Sequence, residues 1–305
     1  MTHDVSAAHG THAHTHAHGG HGEAHQHGPG PDGLAEILDR DAELFASYLA
    51  SVTARVAELA GDDVRHIVDL GAGSGTGTFA LLKQFPDARV TAVDSSADML
   101  EQLARAAAER DVTARVETVQ ADAGASLPGI DGADLVWASA SLHHLDDPAA
   151  ALAVIHGALR PGGHVAVAEL DGMPRFLPDD VVPDRTGLED RCRTALTALH
   201  AEQVPHLGAD WGTLLAAAGL GVEYEHTEHL RLDASTPLPA SAGLYAHRVL
   251  HRIRGAVEGR VDAADLAALD TLLDGGAQDV RHRDDLVVRS TRQLWIARRP
   301  ADAGL

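Results

Sequence analysis

The chain has 305 residues of ordinary globular composition, with 45% hydrophobic and 23% charged residues and a formal net charge of −21. This negative charge repels a phosphate backbone and excludes nucleic acid as the expected partner, and the single cysteine, Cys192, excludes a multi-cysteine metal site. No apolar run reaches the roughly 18 residues needed to span a membrane, and no leader-like segment opens the sequence, so we expect no membrane association and a cytoplasmic location.

Residues 1–33 form a separate zone of composition. Nine of the 21 histidines lie between His3 and His27, among glycine, alanine and proline residues. With almost nothing apolar to bury, this segment is predicted to be disordered. Its histidines could bind a divalent metal adventitiously, but a repeat defines no ligand geometry, so we predict no dedicated metal site.

Strands and helices are then expected to alternate. Apolar residues at helical spacing over 34–59 predict one or two helices. The predicted strands are 64–69, 89–94, 115–120, 133–139 and 164–170, with helices at 76–85, 97–110 and 148–159, and a turn at Arg160–Gly163 before the fifth strand. Buried strands separated by helices indicate a parallel sheet covered on both faces, with right-handed crossovers.

Beyond residue 171 the alternation becomes less regular. Three prolines over 172–186 predict a loop. Helices are expected at 187–203, 209–218, 241–258 and 263–273, and strands at 222–232 and 286–297. We therefore divide the chain into the tail 1–33 and one domain, 34–305. Within this domain we expect a core over 64–171, a substrate-covering insertion over about 172–206, and C-terminal helices and strands over 207–299.

A glycine-rich turn follows the first strand, in the sequence VDLGAGSGTG of residues 68–77. Gly71, Gly73 and Gly75 allow a tight turn and a close approach of the backbone to a ligand. A dinucleotide fingerprint would place its third glycine at position 76, which is Thr76 here. The spacing therefore favours a different nucleoside ligand over a pyrophosphate.

Three more polar groups follow neighbouring strands. Asp94 ends the second strand, where a carboxylate can accept hydrogen bonds from a ribose diol. Asp122 and Ala123 follow the third strand, where they could face an adenine edge, and Ser139 to His144 follow the fourth. Because the carboxyl ends of parallel strands share one edge of a sheet, the four segments are predicted to line one ligand crevice.

Residues 66–172 resemble the core of class I S-adenosylmethionine-dependent methyltransferases. The matching stretches are VDLGAGSGTGT, TAVDSSADML, VQADAGASLP, LVWASASLHHLDDP and LRPGGHVAVAELDG. The resemblance implies an α/β fold with a doubly wound, mostly parallel, seven-stranded Rossmann-like sheet whose last strand is antiparallel. It also implies helical additions over the cofactor site, with S-adenosyl-L-methionine as the cofactor.

The resemblance also implies the roles of individual residues. Asp69 and the glycine turn would hold the methionine portion of the cofactor, Asp94 the ribose and Asp122 the adenine, with His144 near the methyl group. The expected cofactor-binding residues are Asp69, Gly71, Ala72, Gly73, Gly75, Asp94, Ser95, Met99, Asp122, Ala123, Ser139, Leu142 and His144.

Two absent motifs favour a small-molecule acceptor. The fourth strand is not followed by the Asn/Asp-Pro-Pro-Tyr-like motif of amino-group methylation, and Cys192 lacks the preceding proline of cytosine C5 methylation. The expected reaction is an in-line displacement at the sulfonium methyl. His143 is the candidate general base, with Glu169 and His206 as weaker candidates.

Other interpretations remain open from the residues alone. Arg248 and Arg252, four apart on a predicted helix, could meet an acidic substrate, or could form a solvated face. A nucleotide-linked oxidoreductase could use a similar fold, although Thr76, the stretch at Asp122 and the stretch at His143 and His144 argue against it. A third possibility is a metal-binding or sensing protein that acts through its histidine-rich tail.

Overall fold

A computed structural model describes residues 31–122, 124, 126–127, 129–183, 185–233, 238–239 and 241–301. The histidine-rich stretch 1–30 lies outside the described residues, and so does the predicted site residue Ala123. The predictions of disorder and of adventitious metal binding for that stretch therefore remain predictions.

One seven-stranded sheet forms the centre of the protein. Its strands are β1 His66–Leu70, β2 Arg89–Asp94, β3 Val116–Gln120, β4 Ala133–Ser139, β5 Leu159–Leu170, β6 Gly221–Leu232 and β7 Val288–Arg298. Their spatial order is β3-β2-β1-β4-β5-β7-β6. Neighbouring strands from β3 to β5 are parallel, whereas β7 is antiparallel to both β5 and β6. The mostly parallel sheet with an antiparallel last strand is thus confirmed.

Helices cover both faces of this sheet, which explains why the central strands are apolar along their whole length. Those described are α1 Pro31–Leu44, α2 Ala46–Ala60, α3 Thr76–Gln84, α4 Ala97–Glu109, α5 Pro148–Ala158, α6 Leu188–Gln203, α7 Trp211–Ala217, α8 Ala242–Ala256 and α9 Ala263–Leu273. The predicted helical run 34–59 is two helices, which meet at the buried Phe45. None of the described helices has the length and hydropathy needed to cross a membrane.

The predicted turn at Arg160–Gly163 is wrong, because these residues lie within β5. Ala133 of β4 pairs with Leu159, and the next pair joins Leu135 to His164, so β5 carries extra residues in a bulge. The backbone N–H of Gly162 donates to the carbonyl of Arg299, 3.0 Å away. The local Pro-Gly-Gly signal is therefore overridden by pairing with the chain that follows β7.

A second hydrophobic core lies beyond the carboxyl edge of the sheet. It joins α1, α6, α8 and α9 to the segment that follows β5, and its central side chains include Phe176, Leu188, Tyr245 and Val249. The segment predicted as a loop forms one bridge, between Arg175 and Arg289 beside β7. Helical additions thus cover the β5, β7 and β6 end of the edge at which ligands bind in open α/β sheets.

Candidate functional site

The turn between β1 and α3 is built on left-handed glycines. Gly71, Gly73 and Gly75 have φ angles of +67°, +52° and +94°, which side-chain-bearing residues rarely adopt. The backbone N–H groups of Gly71 and Ala72 both donate to the carbonyl of Val93, at 2.8 and 3.0 Å. The turn is thereby held against the end of β2.

Gly71 also approaches the loop that follows β4. A Cβ atom at Gly71 would lie 2.5 Å from the Cβ of Ser141, so only glycine fits there. The Ser141 hydroxyl beside it is buried and has no hydrogen-bond partner among the described residues. Because a buried hydroxyl without a partner is costly, this position suits a polar group of a bound ligand.

Asp94 connects the glycine turn to β2. Its Oδ2 accepts from the backbone N–H of Gly73 at 2.9 Å, and its Oδ1 accepts from Ser96 at 2.8 Å. The side chain of Ser96, rather than Asp94, caps α4, by accepting from the backbone N–H of Met99. Each carboxylate oxygen can accept further hydrogen bonds. The half-buried Asp94 can therefore also accept hydrogen bonds from the two hydroxyl groups of a diol.

The end of β3 lies beside Asp94. The backbone N–H of Ala121 donates to the carbonyl of Asp94 at 3.1 Å, and the Gln120 side chain donates to the carbonyl of Ser95 at 3.0 Å. Asp122 is exposed, and its Oδ1 accepts from the backbone N–H of Gly124 at 2.9 Å. Ser95 thus lies between Asp94 and the end of β3, whereas the buried Met99 is in contact with Ser96 at the start of α4.

Asp69, at the end of β1, is buried beside α3. The residue is 2% exposed, and its carboxyl group accepts a hydrogen bond from the hydroxyl of Thr78 at 2.5 Å. Burial raises the pKa of Asp69 to about 7, because the charged form loses its hydration, while the hydrogen bonds from Thr78 partly oppose this rise. By its bond to Thr78, Asp69 connects the end of β1 to the start of α3, on either side of the glycine turn.

A buried carboxylate organises the turn after β4. Oε1 of Glu169, near the end of β5, accepts from the backbone N–H groups of Ser141 at 3.0 Å and Leu142 at 2.8 Å. Its Oε2 lies 2.6 Å from Nδ1 of His143. Glu169 is 2% and His143 6% exposed. The sequence presents Glu169 only as a weaker base candidate, and its one local signal is a lone acid in an apolar strand.

The other predicted residues after β4 differ in environment. Ser139 is the half-buried last residue of β4, and Leu142 is buried in the core below the turn. His144 is exposed, with its ring centroid 4.1 Å from that of His143. His206 lies past α6 and makes no side-chain hydrogen bond within the described part of the chain. Only His143 among the three base candidates presents an imidazole held by a carboxylate.

Helix α1 covers the glycine turn. The hydroxyl of Ser74 donates to Asp39 at 2.9 Å, and Asp41 accepts from Arg292 at 2.7 Å and from the Tyr245 hydroxyl at 2.6 Å. Sequence reasoning did not find these contacts, because Arg292 lies 251 residues from Asp41. They connect the glycine turn, through α1, to β7 and α8.

A cavity of about 340 Å³ lies between α6 and the segment after β5, a volume suited to a small molecule. It is lined by Asp171, Gly172, Met173, Arg175, Arg193, Leu196, Thr197, His200, Ala201, Val204, Pro205 and Leu207. Burial lowers the pKa of His200, and electrostatic interactions with His143 and Arg252 lower it further. His200 therefore connects this cavity electrostatically to the turn after β4.

The charged groups near the cavity are mostly paired. Arg175 pairs with Asp190, Arg193 with Glu189 and Arg248 with Glu36. Arg252 has no ion pair among the described residues. No group of three or more histidine, cysteine, aspartate or glutamate side chains within the described ranges is arranged to hold a metal ion.

Comparison with known proteins identifies related chains. A family model described as "Methyltransferase domain" matches residues 68–165. Trans-aconitate 2-methyltransferase of Enterobacter sp. (strain 638) is 35% identical over 53% of this chain and 64% of its own. The enzyme of the same name from Paracidovorax citrulli is 37% identical over 56% and 63%, and that from Rhodopseudomonas palustris (strain BisB18) is 30% identical over 58% and 68%. The chain thus spans less than two thirds of the length of the first two of these relatives.

Solved structures agree with the fold. A protein of Bacillus halodurans C-125 that carries a methyltransferase assignment superposes with a TM-score of 0.52 at 19% identity, over 82% of this chain and 100% of its own. The YcgJ protein of Bacillus subtilis also has a TM-score of 0.52, at 16% identity, over 84% and 100%. At these identities the likeness concerns the architecture of the sheet and its helices.

Proposed function

The chain belongs to the class I S-adenosylmethionine-dependent methyltransferase family, and on that premise we propose that it transfers a methyl group from S-adenosyl-L-methionine to a small molecule. The main supporting observation is the hydrogen bond from the glycine turn at Gly73 to Asp94, which joins two ligand-binding segments in one crevice. The oxidoreductase alternative has no support in the related chains. The proposal that the tail acts in metal sensing concerns residues outside those described.

The described residues fit this cofactor. Asp94 has lone pairs free for the ribose hydroxyls, and the glycine turn with the unpartnered Ser141 hydroxyl suits the methionine portion. We assign Ser95, Met99 and Asp122 to the adenosine side. When bound, the cofactor supplies a methyl group already activated by a positively charged sulfur.

The acceptor would occupy the cavity of about 340 Å³ beside α6. The protein's main contribution is to align the acceptor with the methyl group and to exclude water, which can lower a barrier by roughly 7–11 kcal/mol. For an acceptor whose nucleophilic atom carries a proton, we assign His143 as the general base that takes this proton, a contribution worth about 10²–10⁴-fold. A carboxylate acceptor is already deprotonated and needs no base. Its held imidazole supports this assignment over His206.

Trans-aconitate, which the related enzymes are named for, is the first acceptor to test. A carboxylate acceptor suits Arg252, the arginine near His200 with no ion pair among the described residues. The other arginines near the cavity are neutralised by acidic partners. The variant R252Q tests whether Arg252 binds the acceptor or only lies on a solvent-exposed helix face. If Arg252 binds the acceptor, R252Q should raise KM for an acidic acceptor; if it is only solvated, KM should not change.

The deciding experiment has two stages. Calorimetry with S-adenosylhomocysteine tests the crevice, and labelled methyl transfer from S-adenosyl-L-methionine to trans-aconitate and then to a metabolite extract tests the reaction. We expect saturable binding and one labelled small-molecule product. Absence of binding, together with stabilisation by a nicotinamide nucleotide, would refute the proposed function.

We also propose that the enzyme works in the cytoplasm and on no nucleic acid. The sole cysteine, Cys192, is buried and free, as suits a reducing compartment, and the net charge of −21 disfavours a polyanion. Fractionation of the source cells and a filter-binding assay with DNA and RNA test the two statements separately.

A further inference from the structure

We propose that Glu169 is a positioning residue that keeps the proton of His143 on Nδ1 and thereby leaves Nε2 as the proton acceptor of the site. This inference rests on the proposed function, in which His143 takes the proton of the acceptor. Glu169 would act by orienting the proton of His143, and Glu169 itself would not contact the substrate.

The location of Glu169 requires that its charge be compensated. It follows Ala166, Val167 and Ala168, all of them buried, on a central strand of the sheet. An acidic group in such surroundings is costly unless it is hydrogen-bonded. Among the described residues, its side chain is hydrogen-bonded to three partners, Ser141, Leu142 and His143, which all belong to the turn after β4.

The two oxygens of Glu169 have separate tasks. Oε1 accepts two backbone N–H groups, which secures the turn and stabilises the ionised carboxylate. Oε2 lies 2.6 Å from Nδ1 of the imidazole, slightly below the roughly 2.7–2.9 Å typical of charge-assisted N–H···O bonds, and it has no other hydrogen-bond partner in the described ranges. A carboxylate can only accept, so Nδ1 must carry the proton in this arrangement.

The other ring nitrogen is then free for chemistry. In a neutral imidazole with its proton on Nδ1, Nε2 is an acceptor. Nε2 of His143 makes no hydrogen bond within the described part of the protein. His200, which lines the 340 Å³ cavity, lies within electrostatic reach of this ring. The hydrogen bond at Nδ1 therefore leaves Nε2 available as a proton acceptor.

The charged and titratable groups around the pair come from several elements. The ring of His144 lies tilted beside that of His143, with the centroids 4.1 Å apart. His200 of α6 interacts electrostatically with both histidines, Arg252 of α8 with His144, and Tyr48 of α2 with Glu169. None of the four forms a hydrogen bond to Nδ1 of His143 in the described residues. The position of the proton is therefore controlled by Glu169.

The variant E169Q tests whether Glu169 determines the position of the proton on His143. Its amide oxygen can still accept from Ser141 and Leu142, whereas its NH₂ group would face His143 and donate to Nδ1. The imidazole would then carry its proton on Nε2 and could no longer accept one there. A role limited to securing the turn would leave the tautomer unchanged.

The experiment is nitrogen NMR on protein labelled with ¹⁵N-histidine, with the signals of His143 assigned by their loss in H143Q. We expect the Nδ1–H pattern in the wild type and the Nε2–H pattern in E169Q. The matched control is E189Q, because Glu189 is another buried carboxylate that accepts two backbone N–H groups, from Phe176 and Leu177. In E189Q the tautomer of His143 should stay as in the wild type.

Binding and rate complete the test. We expect the affinity of E169Q for S-adenosylhomocysteine to stay within about threefold of the wild type. Its kcat for labelled methyl transfer to an acceptor that must lose a proton should fall about 10²–10⁴-fold, whereas transfer to a carboxylate should be spared. An Nε2–H tautomer in the wild type, or an unchanged tautomer in folded E169Q, would overturn the proposal. Should E169Q not fold, the wild-type spectrum still decides between the two tautomers.

This spectrum needs neither cofactor nor acceptor. A failure of the tautomer prediction would leave intact the binding of S-adenosylhomocysteine, which tests the proposed function. Conversely, a chain that does not bind S-adenosylhomocysteine but shows the expected tautomers would refute the function and leave the role of Glu169 in fixing the proton supported.

Discussion

The backbone N–H of Gly73 donates to the carboxylate of Asp94 over 2.9 Å, which joins the turn after β1 to the end of β2. The second oxygen of the same carboxylate accepts from Ser96, at the start of α4. Asp94 thus fixes two backbone segments and still has acceptor capacity for a ligand. Its carboxylate is therefore central both to the shape of the crevice and to the cofactor binding that we propose.

Replacing this carboxylate with an amide should weaken cofactor binding. In D94N one oxygen becomes an NH₂ group, which would face a backbone N–H and could not accept from a ribose hydroxyl. We expect the Kd for S-adenosylhomocysteine to rise at least tenfold, or about 1.4 kcal/mol, by calorimetry. The exposed Asp87 provides the control, D87N, which should bind as the wild type does. Equal affinities in D94N and the wild type would contradict the assignment.

The close approach of Gly71 to Ser141 predicts a difference between two glycine substitutions. Gly61 and Gly71 have φ angles of +78° and +67°, but a Cβ at Gly61 would meet nothing within 4 Å, whereas at Gly71 it would collide with Ser141. G61A should cost about 1–2 kcal/mol of backbone strain. G71A should cost at least about 1 kcal/mol more and lose affinity for S-adenosylhomocysteine. Urea unfolding measures both, and equal losses would contradict the collision.

The buried Asp69 predicts a dependence of stability on pH. Its pKa is raised to about 7 in the folded protein, so the native state holds a proton there that the unfolded chain releases near pH 4. The stability contributed by protonated Asp69 is complete below about pH 4 and is lost as pH rises to about 7, by roughly 4 kcal/mol at most.

The variant D69N removes this titration. Between about pH 4 and pH 7 the wild type should therefore lose unfolding free energy relative to D69N. Above pH 8 the difference between the two proteins should stay constant. Urea titrations of both proteins at several pH values measure this difference, with D87N as the exposed control. A difference independent of pH would show that Asp69 titrates normally.

The contacts of Asp41 predict that its negative charge stabilises the packing of α1 against β7 and α8. Asp41 accepts from the mostly buried Arg292 and from the hydroxyl of Tyr245, and burial of that hydroxyl raises the pKa of Tyr245 far above its usual range. In D41N the charge-assisted bonds weaken, and we expect a loss of about 1.5–3 kcal/mol of stability. Amide exchange should also quicken in α1. E43Q, on the exposed face of the same helix, should show neither effect.

Short-range patterns determined most of the secondary structure. The strand Ala133–Ser139 and the helix Ala263–Leu273 have the bounds that the sequence predicts, and the glycine turn was recognisable from its spacing. These features depend on residues close together in the chain, namely apolar periodicity and glycines that permit positive φ. The start of β5 could not be predicted in this way, because its bulge depends on pairing with β4 and with Arg299.

The sequence by itself therefore determined the order of the elements and the four segments that meet at the carboxyl edge of the sheet. Only the tertiary structure decided that Asp69 is buried beside Thr78, that Glu169 holds His143 and that Asp41 reaches Arg292. Periodicity shows which face of an element is apolar, but it does not show which polar groups from distant elements share a buried position. Those pairings depend on burial, which makes each enclosed charge or hydroxyl require a partner.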